Sequence, residues 1–369
     1  MTSTNIAQPG YLTRLPAIND INGIEGALSA GANVNALYKP GKEERKKLLG
    51  TGEFNPSGGF MPLHLAAITG SRDAAAYLVE QGANLDAATD DEEVTAFWLA
   101  AGLKSPAMMR LLHSKGSDID HGDEDGITPL HLSSMRGNEE IVECLLDLGA
   151  SIHAKARFAE DDTALAKAAR AGKIEVCRLL LEKGSDINYR NRKGRTPLHI
   201  ATFEDNQALV EFLLQRGAKV DLTEDRYSRT PLLMAAHRGN ISLVRLLHTK
   251  GGDINHADRD GQTALHRAAL ITDLELAQYL LKHNADVHKQ DSRGNIALGL
   301  AAQAAAMTLW NYDYFSQGAF IHDPQEKASR SKEIYELLLK GGSNKFHEND
   351  EGENPEELYQ KTLTWCRGI

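Results

Sequence analysis

The sequence repeats itself at an interval of about 33 residues. The segment Thr128-Pro129-Leu130-His131 returns as Thr196-Pro197-Leu198-His199, and its first position recurs at intervals of 34, 33, 35, 33, 34, 33 and 33 residues. The successive occurrences are Met61, Thr95, Thr128, Thr163, Thr196, Thr230, Thr263 and Ile296. A near-constant period predicts an array of stacked repeats rather than the two or three globular domains expected from 369 residues.

Each repeat carries signals for two helices. The first begins with Thr as N-cap and Pro or Ala at the first helical position, and it continues as in Leu63–Ala67. The second has apolar residues at i, i+3 and i+4, as at Val142, Leu145 and Leu146. Neither helix can bury its apolar stripe alone, so neighbouring helix pairs are expected to stack.

The second helix stops at a residue suited to the left-handed C′ position. The stop residues are Gly82, Gly116, Gly149, Gly184, Gly217, Gly251 and Asn284. Between each stop and the next helix lie 11 to 13 polar residues, such as Ser185–Arg195, which predict a turn-forming finger.

These motifs closely resemble the ankyrin-repeat family. The resemblance rests on Thr-Pro-Leu-His, on Gly184–Asn188 and on the period, and it covers roughly residues 20 to 350. It implies an all-α solenoid of stacked helix–turn–helix repeats with β-hairpin fingers, in which the fingers and first helices form a concave, partner-binding face. It also implies that finger asparagines such as Asn188 and Asn255 are candidates for enzymatic hydroxylation.

The repeat boundaries give the expected organisation. Residues 1–36 form an N-terminal half-repeat, 37–58 an insertion in the first finger, 59–350 eight repeats and 351–369 a C-terminal capping helix. The eight repeats span about 59–90, 91–123, 124–157, 158–191, 192–225, 226–258, 259–291 and 292–350, the last with an insertion near 303–330. The half-repeat is counted as repeat one when fingers are numbered below.

The insertion in the last repeat concentrates aromatic residues. From Ile296 to Gly341 is a step of 45 residues, where the other repeats have 21. Two interpretations stay open: the segment covers the end of the stack, or its aromatic side chains line a ligand site. The candidate ligand residues are Trp310, Tyr312, Tyr314, Phe315 and His322.

Composition excludes several classes of function. The net charge of −10 argues against general nucleic-acid binding, which needs a positive surface. No segment is long and apolar enough to span a membrane, and no secretory signal is visible. Three widely spaced cysteines form neither a disulfide framework nor a metal motif, which indicates a reducing cytoplasm; export without an N-terminal signal would leave the same pattern.

Neither catalytic nor metal-binding residues are predicted, and no cofactor is expected. His64, His131, His199 and His266 share one repeat position, where imidazole can bond the capping residue and nearby backbone, as in the resembled family. His256, His283 and His288 with Asp258 match no zinc spacing. No phosphate-binding loop or nucleophile elbow is present.

Finger charges and the ends of the first helices suggest where a partner binds. Finger four holds Glu124 and Asp125, which would meet a basic stretch, whereas finger six holds a run of cations. Apolar residues at the first-helix ends, Met135 and Phe203, are expected anchors. Arg136, beside Met135, is a further partner-binding candidate. The candidates for an acidic partner segment at fingers six and seven are Arg192, Lys193, Arg195, Tyr227, Arg229 and Arg238.

The sequence therefore favours a monomeric, non-enzymatic scaffold or adaptor that binds another protein. Two alternatives stay open. One is a small-ligand site or an unusual enzymatic activity in a groove bordered by the two insertions, because long loops on a repeat scaffold are often functional. The other is an effector or targeting subunit, which would differ only in the identity of its partner.

Overall fold

The computed structural model describes residues 20–41, 59–157, 160–310 and 324–366. The chain divides into two compact units, Met1–Asp186 and Ile187–Ile369. Within the described ranges it forms eighteen helices and no β-strand, apart from isolated bridges such as Tyr38 with Phe60. The predicted all-α repeat is confirmed.

The N-terminal unit contains nine of these helices in its described residues. They are α1 (Ile21–Ser29), α2 (Pro62–Thr69), α3 (Arg72–Glu80), α4 (Ala96–Gly102), α5 (Pro106–Ser114), α6 (Pro129–Arg136), α7 (Glu139–Asp147), α8 (Ala164–Arg170) and α9 (Ile174–Glu182). First helices pack in the series α2, α4, α6 and α8, while α3 packs on α5 and α7 on α9. Most of the insertion expected at 37–58 lies outside the described residues.

The C-terminal unit contains the other nine. They are α10 (Pro197–Phe203), α11 (Gln207–Gln215), α12 (Pro231–His237), α13 (Ile241–Thr249), α14 (Ala264–Ile271), α15 (Leu274–Lys282), α16 (Ala297–Trp310), α17 (Pro324–Lys340) and α18 (Pro355–Cys366). First helices again pack in series, from α10 through α12 and α14 to α16. Leucines of the second helices, such as Leu213, Leu247 and Leu280, are fully buried. Each contributes about 1.5–3 kcal/mol by leaving water.

The repeated histidine ties the start of a first helix to the next finger. At His199, Nδ1 accepts the backbone N–H of Thr196 at 3.2 Å, and Nε2 lies 3.2 Å from the carbonyl oxygen of Arg229. Because Nδ1 accepts, the Nε2–H tautomer donates to that carbonyl. His64, His131 and His266 make the same pair of contacts. Where Trp98 takes this position, its indole N–H donates to the carbonyl of Ile127 at 2.8 Å.

The fingers are tight turns rather than paired strands in the described residues. In finger six the side-chain oxygen of Asn191 accepts the backbone N–H groups of Lys193 and Arg195, each at 3.0 Å. These side-chain bonds occupy donors that a hairpin ladder would need. Asp123, Asp258, Asp291 and Asn349 make the same turn in other fingers.

Neighbouring fingers are joined through their backbones. In the C-terminal unit the links are Asp225 N to Lys193 O at 2.9 Å, Arg259 N to Tyr227 O at 2.7 Å, Ser292 N to Asp260 O at 2.8 Å and Asp350 N to Arg293 O at 3.0 Å. The spacing of the fingers is therefore fixed by main-chain atoms.

The last repeat departs from the others. Helices α16 and α17 have 14 and 17 residues, whereas first helices elsewhere have seven or eight. The C-terminal capping helix predicted within 351–369 corresponds to α18, which packs on α16. The rings of Tyr335 and Tyr359 stack with centroids 4.1 Å apart. None of the helices in the described ranges combines the length and apolar character that a bilayer-spanning segment needs.

Candidate functional site

A basic aromatic cluster lies where finger six, finger seven and the ends of two first helices meet. It consists of Arg195, Phe203, Tyr227, Arg229 and Arg238. Phe203 is the last residue of α10, and 38% of its surface is exposed. The guanidinium carbons of Arg195 and Arg238 lie 5.3 and 4.9 Å from its ring centroid. An exposed ring beside two guanidinium groups is typical of an interface anchor.

Tyr227 is held in finger seven by a buried carboxylate. Glu224 accepts the backbone N–H groups of Tyr227 at 2.7 Å and of Arg226 at 3.1 Å. The ring of Tyr227 lies 4.4 Å from the guanidinium carbon of Arg229 and 4.8 Å from that of Arg226. The turn therefore fixes a second aromatic ring among cations.

Arg229 is partly neutralised by Asp258. Its Nε lies 3.4 Å from Oδ2 of Asp258, whose side chain is 1% exposed. The other oxygen of Asp258, Oδ1, accepts the backbone N–H groups of Asp260 and Gln262. Sequence reasoning treated Arg229 as a partner-binding cation and did not associate it with this carboxylate, which is 29 residues away.

His237 lies beside the same carboxylate, Asp258, and is a neutral group. Its Nε2 lies 3.7 Å from Oδ2 of Asp258, too far for a hydrogen bond. Burial, reinforced by the positive charges of Arg229 and Arg267, lowers the pKa of His237 to about 3. At neutral pH it therefore adds no charge to the site.

Arg267 is a site residue that sequence reasoning missed. It occupies the fifth position of the Thr-initiated segment, one residue after His266. Six of the seven equivalent residues are apolar and buried, and the seventh is Lys167; the six are Leu65, Leu99, Leu132, Ile200, Met234 and Leu300. One guanidinium N–H of Arg267 donates to the carbonyl of His237 at 3.3 Å. The sequence carried a signal for this residue, because a cation stands at a repeat position that is mostly apolar.

The remaining finger-six candidates lie on an exposed turn. Arg192 and Lys193 are exposed, and the backbone of Lys193 links the finger to Asp225. Arg190 donates to Oδ1 of Asp225 at 2.6 Å. The run of cations in finger six is thus partly balanced by an acid of finger seven, which the local sequence does not reveal.

In the N-terminal unit, the candidates lie at equivalent repeat positions. Met135 is 42% exposed at the end of α6. Arg136 donates to the carbonyl of Gly102 at 2.9 Å, so part of its role is to bond the last turn of α4. Glu124 and Asp125 are exposed at the tip of finger four, and the backbone N–H of Glu124 bonds Glu92.

Finger four holds a carboxyl group, that of Asp123, whose ionised form is disfavoured by its surroundings. Burial, with a smaller contribution from repulsion by Asp125 and Glu92, raises the pKa of Asp123 to about 6. An incoming cation would relieve this repulsion, because an opposite charge favours the ionised carboxylate.

A second missed network lies in the N-terminal unit around Asp162, whose side chain is 1% exposed. Its Oδ2 lies 3.8 Å from Nζ of Lys167 and 3.1 Å from a guanidinium nitrogen of Arg170. Lys167 occupies the same repeat position as Arg267, and that position is apolar in the other repeats. The surroundings of these two cations can therefore be compared directly.

The alternative aromatic site lies mostly beyond the described residues. Trp310 is the last residue of α16, and Tyr312, Tyr314, Phe315 and His322 lie outside the described ranges. The histidines set aside as a fortuitous cluster have separate contacts. Nε2 of His256 lies 2.7 Å from the carbonyl of Ser228, whereas His283 packs on His248 and Tyr279.

Stacked helix pairs with turn-like fingers define the class of helical-repeat proteins. The chain belongs to the ankyrin-repeat family: it matches ankyrin repeats in three copies, over residues 63–156, 152–224 and 220–291. Ankyrin repeats generally mediate protein–protein interaction.

Two relatives illustrate the similarity. The chain is 32% identical to human transient receptor potential cation channel subfamily A member 1 over 272 residues, which are 71% of this chain and 24% of the channel. It is 32% identical to human neurogenic locus notch homolog protein 1 over 238 residues, 59% of this chain and 9% of that protein. The chain therefore spans less than a quarter of the length of these relatives.

Proposed function

We propose that the chain is a scaffold or adaptor that holds a partner polypeptide against its finger tips and first-helix ends. The basic aromatic cluster would take an acidic segment with an apolar anchor, while Glu124 and Asp125 would take a basic one. Met135 and Arg136 would extend the contact in the N-terminal unit. The proposal includes a monomeric state.

The observation that carries this proposal is the exposure of Phe203 between cations. Among the described residues, large apolar side chains are exposed only at Leu37, Met135, Phe203 and Phe346. Met135 and Phe203 occupy the same position in their respective repeats. Exposed apolar residues at one repeat position, flanked by arginine, have the composition of interface hot spots.

The test is a charge reversal on finger six. Partners are first captured from the native cells by cross-linking and then purified. Substitution of Arg192, Lys193 and Arg195 by Glu should slow association with the acidic partner about tenfold and weaken its salt dependence, because long-range attraction speeds encounter. Stopped-flow fluorescence at low and physiological salt measures both quantities.

A matched control reverses three cations on the second helices of the same unit. Arg216, Arg245 and Lys282 changed to Glu alter the net charge by the same amount at another surface. Association unchanged by the finger-six variant, or slowed equally by both variants, would contradict a partner site at finger six.

We also propose a reducing compartment such as the cytoplasm. Cys144 and Cys177 are free and buried, and burial raises the pKa of Cys177 to about 12. Such thiols are suited to an environment in which disulfides are rare.

A further inference from the structure

Arg267 places a positive charge where six of the seven other repeats bury an apolar side chain. Its pKa is lowered by burial and by the nearby charge of Arg229, although a guanidinium remains protonated in proteins. Burying a cation costs several kcal/mol unless an anion compensates for it.

The protein supplies little compensation for Arg267 in the described part of the chain. Arg267 makes no ion pair there, and its buried Nε has no hydrogen-bond acceptor. Its guanidinium donates to the neutral carbonyl of His237. The buried carboxylate of Asp258, which lies 3.7 Å from Nε2 of His237, already contacts Arg229 and accepts two backbone N–H groups.

Two further guanidinium groups at the ends of the first helices, those of Arg238 and Arg195, make no ion pair in the described ranges. Arg238 follows His237, whose carbonyl accepts the bond from Arg267, and the Arg238 guanidinium lies over Phe203. Arg195 lies over the same ring, and its Nε is also buried without an acceptor. Two uncompensated cations thus flank the exposed ring of Phe203, and Arg267 bonds the helix end from which one of them, Arg238, extends.

At the same repeat position in the N-terminal unit, the charge of Lys167 is compensated by a carboxylate. Its ammonium group lies near the buried carboxylate of Asp162, which also pairs with Arg170. The cation in this column of the N-terminal unit is therefore balanced within the protein, whereas Arg267 is not.

We propose that Arg267, Arg238 and Arg195 form a seat for a phosphorylated side chain of the partner polypeptide. A phosphomonoester carries nearly two negative charges and three acceptor oxygens. It therefore matches three guanidinium groups better than one carboxylate does, and guanidinium pairs with phosphate through two parallel hydrogen bonds. The exposed face of Phe203 would contact an apolar residue beside the phosphate. This inference rests on the proposed function and specifies its partner.

The test uses the full chain and three fluorescent peptide pools of identical degenerate flanks. Their central residue is phosphothreonine, threonine or glutamate. We expect the phosphorylated pool to bind at least about tenfold more tightly than the other two by fluorescence anisotropy. Arg267→Met should remove most of that difference.

Arg267→Met also separates a binding role from a structural one. Methionine occurs at the same position as Met234, so the variant is expected to fold, and its urea midpoint should rise because an uncompensated charge is removed. Lys167→Met should instead lower the midpoint, because Asp162 loses a partner. Arg245→Met, at a solvent-exposed ion pair with Glu275, controls for the loss of an arginine.

The outcomes decide between the alternatives. Equal binding of the phosphorylated and glutamate pools would overturn the phosphate seat while leaving an acidic partner in place. Absence of binding by every pool, or a lower urea midpoint for Arg267→Met with unchanged binding, would also overturn it. The proposed protein-binding function is tested separately by the finger-six charge reversal.

Discussion

At the scale of single residues, the repeated histidine shows how one side chain can serve two elements. His199 accepts from the helix start and donates to the next finger, so its hydrogen bonds require the neutral ring. Burial lowers the pKa of His64, His131 and His199 to about 4, and it lowers that of His266 as well. The sequence predicted this structural role from the shared position alone.

These histidines should make stability sensitive to acid. Because the folded pKa lies below the unfolded value of about 6.5, the unfolded chain binds more protons, and stability falls as pH drops from about 6.5 to 4. At pH 5, His64, His131 and His199 should each cost about 2 kcal/mol of stability relative to neutral pH. Urea unfolding of the protein and of histidine variants at a series of pH values measures this loss of stability.

His199→Gln should therefore be less stable at pH 7.5 but lose stability less steeply on acidification. His153→Gln removes an exposed histidine and serves as the control. Identical pH slopes for the two variants would rule out the buried ring as the source.

At the scale of elements, the fingers depend on glycines with left-handed backbone. Gly194 has φ of 70°, and a Cβ built there would lie 2.8 Å from the backbone nitrogen of Asp225, which bonds Lys193. Gly217 has φ of 89° at the end of a second helix, and a Cβ built there would lie in open space.

Alanine substitutions at these two glycines should differ in cost. Gly217→Ala should lose about 1–2 kcal/mol from backbone strain alone. Gly194→Ala should lose more, because the added methyl group would also displace the finger-to-finger hydrogen bond. Chemical denaturation gives both values, and equal losses would mean that the close approach at Gly194 is unimportant.

Elements were predictable wherever the repeat position decides the structure. Thr caps, histidine positions and helix stops followed from spacing, because each depends on residues close in sequence. The turn form of the fingers was less accessible, because competition between Asn191 and a hairpin ladder depends on local geometry. The compensation of Arg229 by Asp258, and its absence at Arg267, depends on residues about 30 positions apart.

At the scale of the whole molecule, repeat energetics should be local. Within the C-terminal unit, α18 packs on α16, and Tyr335 donates from its hydroxyl to Glu356 at 3.2 Å. Burial raises the pKa of Tyr335, which keeps this donor protonated.

Removal of residues 355–369 should loosen the unit from that end. Hydrogen exchange should rise most in α16 and α17 and least in α10, because repeats are stabilised mainly by their neighbours. Tyr359→Ala should give a smaller change of the same kind. A uniform rise across the unit would instead indicate one cooperative block.

The backbone links between fingers have a consequence for how binding preferences can change. Since Asp225, Arg259, Ser292 and Asp350 set the finger interval with main-chain atoms, side chains at the tips contribute little to that interval. Exchanging Arg192 and Lys193 for residues of other chemistry should therefore redirect the scaffold to a new ligand without rebuilding its frame.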